Sequence, residues 1–233
     1  MTPEKTLLIV AHGQPSEPDP PEVHLAALAR QVAEHLPGWQ VRGATMAKPG
    51  ALEAAAEVLG SGVLIYPFFM GDGWFIRTAL PRRLTGFDIR MLDPFGLDPN
   101  LPGLTAGWLT QEIALRGWDV AQSHVMIAAH GSGRSDRPAQ IAGGFAEALS
   151  TQLPLAGVTC GFVEQDPRMA DVARDLGSQA LCLPFFALAG GHVRDDIPEA
   201  MNEAGFQGAV LPVLGDHPDV PKLIAAAALV AGS

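Results

Sequence analysis

Leu183-Pro184-Phe185-Phe186-Ala187-Leu188-Ala189-Gly190-Gly191-His192-Val193-Arg194-Asp195-Asp196-Ile197-Pro198-Glu199-Ala200-Met201 is the stretch whose reading decides the fold. An apolar run from Ala180 to Phe186 reads as a buried parallel strand, because strands covered on both faces carry near-continuous apolar sequence. It empties through a loop of small residues into a histidine, an arginine and two aspartates. In an open α/β sheet the carboxyl end of such a strand is where ligands bind. Gly190 and Gly191 are expected to turn the backbone sharply and leave room beside it, with His192 at the start of a helix. A plainer reading stands beside this one: two glycines make a turn, and His192 is its exposed first residue.

Working outward, strands and helices alternate along the chain. Thr6 to Ala11 reads as a first strand broken by His12-Gly13, followed by a helix from about Glu22 to His35 after Pro18, Pro20 and Pro21. Trp39 to Thr45 is a second strand, Gly50 to Leu59 a helix and Val63 to Phe69 a third strand. A helix begins near Trp74, Phe87 to Leu92 is a short fourth strand, and Leu101 to Arg116 is a closing helix. Alternation at these lengths implies parallel βαβ units.

The same order then runs again. Val-Ala-His12-Gly matches Ala-Ala-His130-Gly at a spacing of 118 (130 minus 12). Pro67-Phe68-Phe69 matches Pro184-Phe185-Phe186 at 117 (184 minus 67), and Phe95-Gly-Leu-Asp-Pro99 matches Leu214-Gly-Asp-His-Pro218 at 119 (214 minus 95). Three blocks holding one offset to within a residue mark a duplication. The fold class is therefore α/β, with two homologous doubly wound domains, 1–118 and 119–233, each built on a four-stranded parallel sheet. The halves differ where chemistry would sit: His192 faces Phe75 and Glu164 faces Met46, while His12 and His130 are both kept. The first half reads as a degenerate copy and the second as the bearer of the active centre.

In the second half His130 ends the strand Val125 to Ala129, Glu164 ends Gly157 to Val163, and His192 follows Ala180 to Phe186. Parallel strands put all three carboxyl ends on one edge. Two imidazoles and a carboxylate suit a divalent ion such as Co²⁺, Ni²⁺, Fe²⁺ or Zn²⁺, and imidazoles also exchange protons near neutral pH. Arg134, Arg137, Arg168 and Arg194 fall in the loops around these residues. Arginine forks grip carboxylates, so a ligand with several carboxylates is one reading and solvated arginines paired with Asp136, Asp166 or Asp195 is the other.

Composition narrows the classes. With 48% hydrophobic and 17% charged residues the chain of 233 residues supports a real core and is not a disordered one. A net charge of −10 argues against nucleic acid or an anionic membrane as partner, since both demand a basic face. No segment reaches about 18 uninterrupted apolar residues, and the start is too short for a signal peptide core, so a soluble cytoplasmic protein is expected. Cys160 and Cys182 lie in apolar runs without metal-type spacing and read as reduced, buried thiols. Gly131-Ser132-Gly133-Arg134 lacks the third glycine of a dinucleotide fingerprint and the Gly-Lys-Ser/Thr of a P-loop. No G-x-S-x-G elbow frames Ser132, although a serine beside a histidine keeps a phosphate-releasing hydrolase open.

The pairing of Ala128-Ala-His130-Gly-Ser132 with the block around His192, the intervening Phe162-Val-Glu164-Gln-Asp-Pro167, and the closing Leu214-Gly-Asp-His-Pro218 resembles the CbiX/SirB family of class II chelatases, in its long, two-half form. The likeness spans almost the whole chain. It implies insertion of cobalt or iron, or nickel, into sirohydrochlorin without ATP or organic cofactor, in cobalamin or siroheme biosynthesis, with the flat tetrapyrrole in a cleft between the halves. It further implies His130 and His192 as the metal-handling, proton-accepting pair with Glu164 beside them. Arg134, Arg194, Ser132 and His12 are then expected to contact the substrate, with Arg77 a further candidate, in a monomer or weak homodimer. A non-catalytic tetrapyrrole or metal carrier is the alternative on the same cleft.

Overall fold

The computed structural model describes residues 5–232. The first sheet has strands β1 (Lys5–Ala11), β2 (Trp39–Thr45), β3 (Val63–Pro67) and β4 (Ile89–Met91) in the order β2-β1-β3-β4, all parallel. The second has β5 (His124–Ala129), β6 (Gly157–Phe162), β7 (Ala180–Pro184) and β8 (Ala209–Val210) in the order β6-β5-β7-β8, again all parallel. Both are doubly wound, as the alternating pattern predicts. Past their first residues the central strands are apolar because helices cover both faces: Leu7 to Ala11 and Val125 to Ala129 are all buried.

The helices are α1 (Asp19–Glu34), α2 (Ala51–Leu59), α3 (Leu80–Arg83), α4 (Leu101–Leu115), α5 (Arg137–Ser150), α6 (Met169–Arg174), α7 (Ile197–Ala204) and α8 (Val220–Ala231). On one face of the first sheet Leu8, Val10 and Ile65 pack with Leu52, Ala56 and Leu59 of α2 and with Ile76, Leu80 and Leu84. On the matching face of the second, Met126, Ala128 and Cys182 pack with Met169 and Ala173 of α6 and Ile197 and Met201 of α7. No helix among the described residues is long and apolar enough to cross a membrane.

Four expectations are corrected. The helix expected from Glu22 begins at Asp19, because Pro20 and Pro21 occupy its first turn, where a missing N–H costs nothing. The strands expected to reach Phe69 and Phe186 stop at Pro67 and Pro184, residues that cannot donate to a neighbouring strand. The compact units are not the linear halves 1–118 and 119–233. They are 1–98 with 218–233, and 99–217. Helix α4, written at the end of the first repeat, packs against α5, with Trp108 5.0 Å from His217; α8, from the end of the second, packs on α1 and β3.

The fourth correction concerns the repeat register. Met46 N–H donates to Ala11 O and Ala47 N–H to His12 O, while Val163 N–H donates to Ala129 O and Glu164 N–H to His130 O. Met46 packs against the first apolar cluster as Val163 packs against the second. The first-repeat counterpart of Glu164 is therefore Ala47, not Met46, because β2 and β6 align at 117 (162 minus 45) while β1 and β5 align at 118 (129 minus 11).

Candidate metal centre

Strand β5 lies between β6 and β7, so the residues leaving the ends of these three strands meet at one rim. His130 is the residue directly after β5, and Glu164 is two residues past β6. His192 follows β7 through a seven-residue loop and opens a π-helical turn, His192–Asp196, that runs directly into α7. The Ile197 N–H donates to the His192 carbonyl and closes that turn. Single π turns inside helices frequently mark functional sites, because they re-aim a side chain without ending the helix.

One donor atom from each of His130, Glu164 and His192 lies within 4.8 Å of the others, the one such trio found among the described residues. The two imidazoles meet edge to face, with centroids 4.5 Å apart and planes at 89°. His130 Nδ1 is 3.8 Å from Glu164 Oε2. The side chains are 44%, 49% and 42% exposed for His130, Glu164 and His192, so a soluble ion reaches all three.

Both rings are held by their Nδ1 atoms. His130 Nδ1 sits 2.9 Å from the Gly131 carbonyl, and His192 Nδ1 sits 2.5 Å from Asp196 Oδ2. The Gly131 contact needs a backbone that only glycine adopts without strain. Its φ is +70°, and a Cβ there would stand 2.7 Å from Gln165 Cγ and 2.9 Å from Phe162 Cβ. Gln165 completes the loop, its Oε1 accepting from Ser132 N–H at 2.8 Å. Neither Gln165 nor Asp196 was apparent as a site residue from sequence. Gly190 and Gly191 correct a further expectation. Gly191 is in the ordinary right-handed helical region, so the pair is not there to turn the chain sharply, and a Cβ at Gly190 would meet open space.

The expected substrate contacts fall in several places. Ser132, Gly133, Arg134, Val163, Glu164 and Arg168 line an open hollow of about 670 Å³ beside the trio. The Ser132 hydroxyl accepts from Arg134 N–H at 3.2 Å, and no hydrogen bond joins it to His130 among the described residues. Arg168 donates to the Val163 carbonyl and lies 3.6 Å from Asp166. Arg194 is exposed on the π turn. Arg77 is ion-paired with Asp72.

His12 occupies the corresponding place in the other unit. Its Nδ1 is 2.8 Å from the Gly13 carbonyl, and its ring meets Phe75 edge-on at 4.3 Å, as His130 meets His192. Phe75 opens the π turn Phe75–Ala79. The scaffold of the centre is thus present twice, and the donor groups besides histidine at strand β1 are present once. The two thiols take no part: burial pushes Cys160 up to about 11 and Cys182 up to about 12.

The CbiX family model matches residues 124–229. A solved structure described as that of CbiX, the terminal enzyme for biosynthesis of siroheme in denitrifying bacteria, is 47% identical and covers 98% of this chain and 100% of that chain, with a TM-score of 0.90. SirB from Bacillus subtilis with Fe³⁺ matches at 15% identity over 99% of this chain and 98% of that one, TM-score 0.76. The sirohydrochlorin chelatase SirB from Bacillus subtilis subspecies spizizenii in complex with cobalt matches at 13% identity over 97% and 94%, TM-score 0.70. These two show a common fold. No curated protein sequence matches. With nearly half its residues identical along the full length of that first structure, the chain belongs to the CbiX family.

Proposed function

We propose that this protein inserts a divalent metal, Co²⁺ or Fe²⁺, into sirohydrochlorin, with His130, His192 and Glu164 delivering the ion. The observation that carries the reading is the trio itself: three donors of the right type within 4.8 Å, at the strand ends of one sheet. Donors sharing an ion at roughly 2.0–2.2 Å cannot stand more than about 4.4 Å apart, so small rotations of exposed side chains bring all three onto one ion. Three protein ligands leave coordination positions open, which suits an ion that must be handed on. Membership of the CbiX family and the siroheme role named for its 47% identical relative support the same reaction class.

Insertion exchanges the ion for the two protons on the macrocycle nitrogens. As the ion leaves the imidazoles, their freed nitrogens become the nearest bases to those protons, so one pair of side chains serves both delivery and proton removal. Glu164, 3.8 Å from His130, places a carboxylate where it lowers the cost of bringing a dication to the rim. Arg134 beside the trio and Arg194 on the π turn would grip peripheral carboxylates, orienting the macrocycle face toward the histidines. The Ser132 loop, braced by Gln165, would bound that contact. The two unpaired thiols support a cytoplasmic setting.

The test is an anaerobic absorbance assay of sirohydrochlorin with Co²⁺ or Fe²⁺. His130→Ala and His192→Ala are expected to lower initial rates at least 100-fold with thermal stability unchanged. Parent rates in both variants would refute the assignment. Binding of one equivalent of tetrapyrrole by the parent protein, with no metal-dependent product, would make it a carrier.

A further inference from the structure

We propose that Asp196 is the positioning residue of the centre: its carboxylate accepts a hydrogen bond from Nδ1–H of His192, fixing the ring as the Nδ1–H tautomer and presenting Nε2 to the metal. This rests on the reading of His192 as a ligand given above.

Three observations carry it. His192 Nδ1 and Asp196 Oδ2 are in direct hydrogen-bonding contact, an imidazole nitrogen against a carboxylate oxygen. The two residues stand four apart on the π-helical turn that Ile197 N–H closes onto the His192 carbonyl, so their side chains meet on one face. The repeat then supplies an internal comparison. The turns Phe75–Ala79 and His192–Asp196 align at 117 (192 minus 75), so Ala79 is the counterpart of Asp196 (196 minus 117). The unit without the histidine also lacks the carboxylate, although the turn itself is kept. A carboxylate serving only the π turn or the start of α7 would have no reason to be missing from the copy in which the same turn forms.

The two rings of the centre are thereby both held at Nδ1, by different means. A backbone carbonyl, Gly131 O, holds Nδ1 of His130, and it has a twin in Gly13 O against His12, so that brace belongs to the fold. The brace on His192 is a side chain and belongs to the chemistry. Metal-bound histidines characteristically give their second N–H to such an acceptor, and its loss typically costs roughly 10–100-fold in metal affinity or activity. Asp195, next in line on the same turn and exposed, is the matched control for loss of one negative charge.

The experiment compares His192→Ala, Asp196→Ala, Asp196→Asn and Asp195→Ala by initial rate against Co²⁺ concentration, and records the tautomer of His192 in the metal-free protein by ¹⁵N NMR at a pH where the ring is neutral. Asp196→Ala is expected to raise the KM for Co²⁺ roughly 10–100-fold with little change in kcat and an unchanged KM for sirohydrochlorin. Asp196→Asn, whose amide oxygen still accepts from Nδ1, should recover part of that loss, and Asp195→Ala should match the parent. The parent ring should be the Nδ1–H form and should lose that preference in Asp196→Ala. An Asp196→Ala protein with parent KM for Co²⁺, or a parent ring in the Nε2–H form, would overturn the inference while leaving the metal centre standing. If His192→Ala kept the parent rate, the metal centre itself would fall, and the tautomer measurement would still decide whether Asp196 sets the ring.

Discussion

If the unit carrying His12 is the same scaffold with its donors removed, then restoring them should build a second metal site. The perturbation is Ala47→Glu, Phe75→His and Ala79→Asp in one chain, with His12 already in place. The rings are poised for it: His12 and Phe75 have centroids 4.3 Å apart, against 4.5 Å for His130 and His192. Phe75 is 39% exposed, so replacing it forfeits part of the roughly 1.5–3 kcal/mol that full burial of a phenyl ring supplies, about 1 kcal/mol or a little more. In a chain of this size that lowers Tm by about 2–4 °C, which leaves the fold intact. With donors and spacing matched, the new site should hold Co²⁺ within about tenfold of the native affinity, a difference of about 1.4 kcal/mol. Calorimetric titration with Co²⁺ in the absence of tetrapyrrole should show one more ion bound than by the parent protein. In a His192→Ala background the same three changes should restore one. Substituting Met46→Glu for Ala47→Glu supplies the contrast. Met46 packs against the apolar cluster that holds Leu8, Val10 and Ile65, so a carboxylate there should add no ion and cost about 2–5 kcal/mol, the range for removing a packed methionine side chain. A folded triple variant that bound no more ions than the parent would refute the equivalence of the two rims.

Two further outcomes follow from the same geometry. Gly131→Ala and Gly13→Ala both force a positive φ, +70° and +76°, and crowd Cβ to 2.7 Å of a neighbour, so each should cost about 1–3 kcal/mol in denaturant unfolding; only Gly131→Ala should also lower the kcat of insertion, because its carbonyl braces His130. At pH 8 the thiolate fraction should be roughly one in a thousand for Cys160 and one in ten thousand for Cys182, so iodoacetamide should modify neither in the native protein and both in denaturant, with insertion unaffected. Rapid native alkylation with loss of activity would contradict the buried, non-ligating assignment.

Much of this was legible from residues alone, for physical reasons that also mark where the reading stopped. Strand β2 falls at Trp39–Thr45 as read, and the parallel order of β6, β5 and β7 delivers His130, Glu164 and His192 to one rim because strand ends in such a sheet share an edge. The exchange of α4 and α8 was not legible. Both helices end a repeat and both bury apolar residues, and nothing local distinguishes a helix that covers its own sheet from one that covers the other. The shift from Met46 to Ala47 was hidden because the repeats differ by one residue between β1 and β2, and a register slip moves a side chain from one face to the other. Asp196 carries no sequence signal of its own, because acidic residues are commonplace at the start of a helix. The signal was available in the difference between repeats: Phe75 with Ala79 against His192 with Asp196 changes two residues four apart together. The arginine cluster divided as both of its readings allowed, with Arg168 near Asp166 and Arg134 lining the hollow.

The most direct measurement is anomalous diffraction at the cobalt edge from crystals of this protein grown with Co²⁺. The account predicts one strong peak at the rim of the sheet containing β5, about 2.1 Å from Nε2 of both His130 and His192 and from a Glu164 oxygen. A peak at His12, or among surface carboxylates with the two imidazoles unengaged, would contradict it.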